Sequence, residues 1–346
     1  MSFPGGQTLE QVRQVDPIWT GHVQGYVHAE RVGSVLFPAA PVRSRKGRVL
    51  RFSRDSFRLS SSKRAPGTSL RRRRFTHDSV PYELDDHAEQ LVIPIEEVEE
   101  GAAVPGTQVT QDHLDQFMEV QTLEHEKQCA DQALDGAKYA AGHAVTISAG
   151  DRWDQSAANP VDQLRQYKNV VANAIGRMPN TLLLGMDAFD AACENERVRD
   201  QIKYTSPESI NEQVLARVFG LDRLVVGRAI YDDASGAKQK VWTATSGVLA
   251  YVDPGMAPAQ PARPASQGQG HGSGSVTTLG GQRQYSRRRP SYGYTYELEG
   301  YPVVRGEYWD EDIEAWKYPF VWPHGVFLTF QEEDLQVAGL LLESIV

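Results

Sequence analysis

The chain has 346 residues, 40% of them hydrophobic and 23% charged, with a formal net charge of −9. That apolar share builds a core and excludes wholesale disorder, the length points to about two lobes, and no run of roughly 18 apolar residues is present to form an ordinary membrane-spanning helix. The only cysteines, Cys129 and Cys193, do not make a disulfide framework and suit a reducing compartment, and Met1-Ser2-Phe3-Pro4-Gly5-Gly6 lacks the basic-then-apolar pattern of a secretory signal.

The N-terminal 44 residues read as an extended arm. Gly5, Gly6, Gly21, Gly25 and Gly33, with Pro4, Pro17 and Pro38, interrupt any helical period. Scattered Val12, Val15, Ile18 and Val23 need another surface to bury against. Residues 48–59 then read as a strand, with Phe57 and Leu59 alternating with Ser56 and Arg58. Three serines and Ala65-Pro66-Gly67-Thr68 supply a turn, and Arg71 to Phe75 the return strand. This long hairpin has almost no apolar face, and an isolated hairpin is marginal in water, so it needs a surface to lie on.

Charge is split sharply at this hairpin. Residues 41–75 hold 13 lysines and arginines against one aspartate, a balance of +12, whereas 76–135 hold 16 acidic residues and one lysine, a balance of −15. A basic arm on an acidic body either grips phosphates or docks on the acidic surface of another copy. Phosphate-binding modules interleave aromatics or present a whole basic face, and the remainder of this chain sums to −21. Docking is the favoured reading, and a salt-dependent gel shift with the isolated protein would favour the nucleic-acid alternative.

Leu91-Val92-Ile93-Pro94-Ile95 leads into Glu96, Glu97, Glu99 and Glu100. From Thr107 to Asp135 there is neither glycine nor proline, which predicts a helix of about 30 residues, roughly 45 Å, with Thr110 as N-cap and Asp112 in its first turn. Its apolar stripe is thin (Leu114, Phe117, Met118, Ala130, Ala133, Leu134, Ala137), as in a helix lying along a sheet or shell.

Residues 159–252 are patterned as an α/β lobe. Asn159-Pro160 opens a helix with Val161, Leu164, Tyr167, Val171 and Ile175 inward, closed by Gly176. Thr181–Leu184 is a buried strand, a helix follows near 186–195, and Ser206-Pro207 opens another that ends at Gly220. Leu224–Val226 and Val248–Val252 are strands. Residues 254–291 are low in complexity and read as a flexible insertion. Tyr292, Tyr294, Tyr296 and Leu298 alternate as a strand, and Tyr301–Arg305 and Phe320–Trp322 continue it.

Chemistry-bearing motifs are sparse. His125-Glu126-Lys127-Gln128-Cys129 departs from a zinc-protease helix at its last position, where a second imidazole is needed; it reads as an exposed helix face with a half-buried Cys129. Gly268-Gln269-Gly270-His271-Gly272 has no strand before it and no helix after it, so it reads as flexibility and not a phosphate cradle. The glutamate run reads as a solvated face. No nucleophile, base and oxyanion donor assemble, so neither an enzyme nor a cofactor or metal site is expected.

The order of parts resembles the major capsid protein of tailed bacteriophages, the Hong Kong 97-type fold, over about 45–340. Met178–Phe189 looks like that family's strand-then-helix entry to its axial domain. Arg199–Thr205 followed by Leu215–Ala229, a helix, a glycine and a valine-rich strand ending Gly-Arg-Ala, is similar to many members, as is Val248–Val252. The resemblance implies an α+β fold with an N-terminal arm (1–44), an extended hairpin loop (45–80), a peripheral domain (81–149) carrying a spine helix (107–141), an axial domain (150–285) with a flexible loop (254–285), and peripheral return strands with the C-terminus (286–346). It implies a structural protein of the virion capsid, assembled in the host cytoplasm and partnered chiefly with itself in hexamers and pentamers around double-stranded DNA. Portal, scaffolding and decoration proteins are partners by analogy; an encapsulin-like nanocompartment shell is the alternative within the fold. The loop side of the intersubunit contact is then Arg51, Arg54, Arg58, Lys63, Arg64, Arg71, Arg72, Arg73 and Arg74, and the acceptor side Glu96, Glu97, Glu99, Glu100, Asp112, Asp115 and Glu119. Apolar contacts of the arm and of the Tyr/Trp-rich 292–322 would supply the remainder. Some relatives cross-link a loop lysine to a peripheral-domain asparagine; Lys63 is present, but no asparagine follows Asn211, so that cross-link is not expected.

Overall fold

A computed structural model of the chain describes residues 15–28, 30–51, 78–102, 109–202, 210–233, 235–254, 291–329, 331–332 and 335–346. Its first helix, α1 (Pro17–Gly25), corrects the expectation of an extended arm. Asp16 caps it, accepting from the Ile18 amide at 2.8 Å and the Trp19 amide at 3.1 Å, with proline at the first helical position. The interrupting glycines are harmless here, since Gly21 is on the exposed side and Gly25 is the last residue. Thr20 anchors α1 to the body: its hydroxyl donates to the Val304 carbonyl and accepts from the Val304 amide. A single turn, α2 (Gly33–Leu36), follows.

The chain continues through β1 (Ala39–Val42), β2 (Lys46–Arg51), β3 (Asp78–Glu83) and β4 (Asp85–Pro94). β2 and β3 pair antiparallel from Lys46↔Glu83 to Arg51↔Asp78, the two legs of a hairpin. The rest of that hairpin, including the expected return strand at 71–75, lies outside the described residues. Next come α3 (Ile95–Ala102) and the long helix α4 (Val109–Ala133). Thr110 lies inside the first turn of α4 and is not its cap. The helix also stops short of 141, because Asp135 turns the chain into a short 3-10 segment, Gly136–Lys138, by accepting from the Ala137 amide at 3.1 Å.

The α/β lobe contains β5 (Ala144–Thr146), α5 (Pro160–Ile175), β6 (Thr181–Gly185), α6 (Met186–Glu194), α7 (Glu196–Ile202), α8 (Glu212–Phe219), β7 (Arg223–Gly227), β8 (Ile230–Asp232), β9 (Lys238–Lys240) and β10 (Gly247–Ala250). Asn159-Pro160 and Gly176 bound α5 as expected; Gly176 (φ 68°) and Gly220 (φ 61°) take the left-handed conformation that ends α5 and α8. One start is corrected. The helix that ends at Gly220 begins at Glu212, as α8, capped by the Asn211 side chain on the Val214 amide at 2.9 Å; Ser206-Pro207, expected to open it, lie outside the described residues. The chain closes with β11 (Gly293–Leu298), β12 (Val303–Val304), β13 (Tyr308–Asp310), β14 (Ala315–Leu328), β15 (Gln331–Glu332), β16 (Leu335–Gln336) and β17 (Gly339–Glu343).

Two sheets organise these elements. A six-stranded sheet runs β1-β11-β14-β12, with β4 and β13 also on β14. A five-stranded sheet runs β5-β17-β10-β6-β7. The C-terminal strand β17, grouped from the sequence with the return strands, therefore sits between β5 and β10 of the other sheet. Both faces of this sheet are covered, so Leu182–Leu184 and Leu340–Leu342 are buried as unbroken apolar runs. Leu182, Leu184 and Leu249 face α5, α7 and α8 through Leu164, Val171, Val198 and Phe219, while Leu183, Val248 and Leu341 face Trp242, Tyr292 and Cys129.

α4 ties the two halves together. Its first half packs Leu114 and Met118 with Ile93, Tyr318 and Phe320 of the six-stranded sheet; its second half packs Cys129, Ala130 and Ala133 with Leu36, Phe37, Trp242 and Tyr292. The close approach of α2 to this half requires Gly33: a Cβ there would lie 2.8 Å from both the Cβ of Cys129 and Oε2 of Glu126. Gly33→Ala is therefore expected to destabilise the protein by about 1–3 kcal/mol, the usual range for overpacking, read as a lower urea midpoint. A variant unchanged in stability would mean that α2 is not held against α4.

Candidate self-assembly interface

The loop side of the expected contact is described only at its base. β2 and β3 leave the body with their charges paired locally: Arg45 with Asp86, Lys46 with Glu83, and the Arg48 guanidinium donating to Ser79 at 2.8 and 3.0 Å. Arg51 occupies the last paired position of β2. Arg54, Arg58, Lys63, Arg64 and Arg71–Arg74 lie outside the described residues.

The acceptor side is described in full and proves to be two surfaces. On α3, half-buried Ile95 and Val98 turn inward, which leaves Glu96, Glu97, Glu99 and Glu100 exposed on one short helix. Glu97 is engaged by His113 at 2.9 Å. Glu96, Glu99, Glu100 and exposed Asp112 make no ion pair with any described residue. Asp115 and Glu119 differ. They lie four residues apart on α4, hence on one face, and the chain's own arm covers that face: His22 Nε2 is 2.6 Å from Asp115, and His28 Nε2 is 3.9 Å from Glu119. No local pattern announces this pairing of the histidines, because their six-residue spacing bridges a helix end at Gly25 and follows no single helical period.

Apolar surface is also redistributed. Tyr292, Tyr294 and Tyr296 are at most 2% exposed and belong to the protein's own core, so they are not available to a neighbour as expected. Among the described residues, exposed large apolar side chains remain on the arm (Ile18 at 75%, Val27 at 84%) and on α4 (Val120 at 57%).

The motif His125–Cys129 is corrected. It is an interior helix face: Cys129 is fully buried and Glu126 is 1% exposed. The Glu126 carboxylate accepts from the Val32 amide at 3.0 Å, the Gly33 amide at 2.7 Å and the Trp242 indole N–H at 2.6 Å. One side chain thus fastens the arm, α4 and the segment after β9. Burial pushes its carboxyl above the usual range, and the three donors pull it back. Burial likewise pushes the Cys129 thiol up, so it stays protonated and unreactive. Among the described residues, no group of three or more His, Cys, Asp or Glu is placed to hold a metal ion, and no helix is long and apolar enough to cross a membrane.

No protein-family model matches the chain. It is 30% identical over 307 residues to the major capsid protein of Burkholderia phage BcepMu, covering 88% of this chain and 91% of that one. Its fold is similar to the crystal structure of a phage-related protein from Bordetella bronchiseptica RB50, with a TM-score of 0.74 and 31% identity over 97% of this chain and 98% of the other. A prophage protein of Escherichia coli CFT073, described as a capsid protein, is similar in fold at a TM-score of 0.51 and 9% identity, covering 93% and 96% of the two chains.

Proposed function

Because this chain belongs to the family of phage major capsid proteins and has their Hong Kong 97-type fold, we propose that its copies tile as hexamers and pentamers into an icosahedral shell that encloses double-stranded DNA. The observation that carries this reading is the match to a phage capsid relative along nearly the whole chain. The geometry supports a particular joint between tiles: the basic hairpin of one copy seated on the α3 glutamates and Asp112 of the next. Glu96, Glu99, Glu100 and Asp112 are exposed and make no ion pair with a described residue, Glu97 being engaged by His113, and the hairpin carries the opposite charge. Each exposed pair contributes only about 0–1 kcal/mol, but closed symmetric contacts repeat it around every ring. A body at −21 also suits a container, since tight phosphate contacts would impede the packing and release of DNA. A portal, scaffolding and decoration proteins are proposed partners by analogy with the family, as is assembly in the host cytoplasm followed by maturation of a precursor shell. The phage relative favours a virus over a nanocompartment.

Electron microscopy of the expressed protein tests the reading: closed shells are expected, and shells filled with a cargo enzyme in place of DNA would shift it to a nanocompartment. Deleting 258–283 is expected to leave shell formation intact. The segment lies outside the described residues, but the described residues that flank it meet on the body, where the Tyr292 amide donates to the Tyr251 carbonyl at 2.8 Å and the Asp253 amide to the Ser291 hydroxyl at 3.2 Å. A shortened connection needs no stretching of either strand, so loss of shells in this variant would assign the segment a structural role.

A further inference from the structure

Three imidazoles from three elements converge where α4 crosses the six-stranded sheet: His125 on α4, His87 on β4 and His324 on β14. The His87 and His324 rings stack at 4.2 Å, His125 meets His324 at 5.4 Å, and Trp322 packs on His324 at 4.2 Å. β-Pairing places the flanking groups. Glu297 of β11 is the cross-strand partner of His324, and Trp322 that of His87, so their side chains share this face.

The other facing groups come from α4 and β11. Glu124 lies 3.4 Å from His87 at the rim. Gln128 Oε1 is 3.1 Å from His324 Nε2, Thr295 Oγ1 is 3.0 Å from His125 Nε2, and the Cys129 thiol sulfur is 3.6 Å from that same nitrogen. Gln121 bonds Glu89 of β4 just beyond the stack. The other His324 nitrogen, Nδ1, faces the Trp322 carbonyl at 2.9 Å. Both ring nitrogens of His324 thus face an oxygen, and a half-turn of the Gln128 amide offers a donor instead. The hydrogen-bond frame accepts either charge state, but the acids beside the stack do not compensate a second positive charge: burial keeps Glu297, opposite His324, neutral on the acid side, and Glu124, at the rim, faces His87.

We propose that the contact between α4 and the six-stranded sheet is a proton-sensitive hinge: protons entering the His87–His125–His324 stack, or leaving Glu297, put charge into an uncharged seam and loosen the long helix from the sheet. This property belongs to the single chain and holds whether or not copies assemble. Burial, and then a neighbouring imidazole, lower His125 to about 4 and His324 to about 3, and burial raises Glu297 to about 7. The signs follow. Between pH 6.5 and about 4 the opened seam binds protons that the closed one refuses, so falling pH favours opening by up to about tenfold per unit for each imidazole. Between about 4.5 and 7 the closed seam holds a Glu297 proton that the opened one releases, so rising pH favours opening until the carboxyl ionises in place. Two imidazoles outweigh one carboxyl on the acid side, the two effects nearly cancel above pH 6.5, and the seam is tightest near pH 7.

Hydrogen–deuterium exchange of the full chain, read by mass spectrometry and corrected for intrinsic rates, tests this. Opening of peptides covering 121–129 is expected to increase at least about tenfold from pH 6.5 to 4.5 and to stay nearly level from pH 6.5 to 8.5, relative to the distant α5. Glu297→Gln should steepen the acid rise and turn the level alkaline stretch into a fall of a few-fold; His324→Gln should flatten the acid rise. A wild-type profile that tracks α5 across this range overturns the proposal without any variant having to fold, and so do variant profiles superimposable on the wild type.

Discussion

Glu126→Ala is expected to destabilise the protein by about 3–5 kcal/mol, the usual cost of removing one partner from a buried charged contact. The substitution strands the Val32 and Gly33 amides and the Trp242 indole N–H, each buried and left without its acceptor, at about 1–3 kcal/mol apiece. Part of that is offset because a buried carboxylate no longer has to be desolvated. Glu126→Gln should fall between, for a geometric reason. The retained oxygen can still serve Val32 and Trp242, which share Oε1, whereas the new amide nitrogen meets the Gly33 N–H, donor against donor. Urea unfolding followed by tryptophan fluorescence checks the order wild type, Gln, Ala. A shift below about 1 kcal/mol for the alanine variant would mean that the arm, α4 and the Trp242 segment are not fastened through this side chain.

Neutralising Arg71–Arg74 to glutamine is expected to act in the opposite sense, leaving the folded protomer nearly intact and depleting shells. The four arginines supply a third of the +12 balance of residues 41–75. Losing about 0–1 kcal/mol per exposed pair at each repeated joint raises the concentration needed for assembly by roughly tenfold or more, since each 1.4 kcal/mol is a factor of ten. Raised salt should have a similar effect on the wild type, because exposed pairs are screened. Particle yield by electron microscopy and the unfolding midpoint must be measured together. A lower midpoint with unchanged yield would show that the arginines serve the chain's own body.

The parts legible in the sequence were those fixed locally. Asn159-Pro160 and Gly176 announced α5, and the leucine run at 182–184 announced a strand buried on both faces. The family resemblance, carried by 178–189 and 215–229, supplied the fold that the comparisons bear out. What stayed hidden depends on contacts far along the chain. The Asp16-Pro17 cap was readable in principle, but the glycines around it outweighed it until Thr20 was seen anchored to Val304. Glu126 looked like a solvated charge, although its offsets to Cys129, Ala130 and Ala133 place it on the apolar stripe of α4. The Asp115 and Glu119 face seemed open because nothing local indicates that His22 and His28 fold back onto it. The tyrosines at 292–296 alternate as a surface strand does, and only the pairing of β11 between β1 and β14, with packing on both sides, buries them.

Whether another copy holds the basic hairpin is tested most directly by isotope-mixed cross-linking. Shells assembled from equal amounts of light and heavy-isotope protein are treated with a carbodiimide, which joins amines to carboxylates, and peptides linking Lys63 to Glu96–Glu100 are weighed. Mixed light–heavy pairs are expected in about half of these links, the proportion for random pairing between copies. Links found only as light–light and heavy–heavy would place the hairpin on its own body and contradict the account.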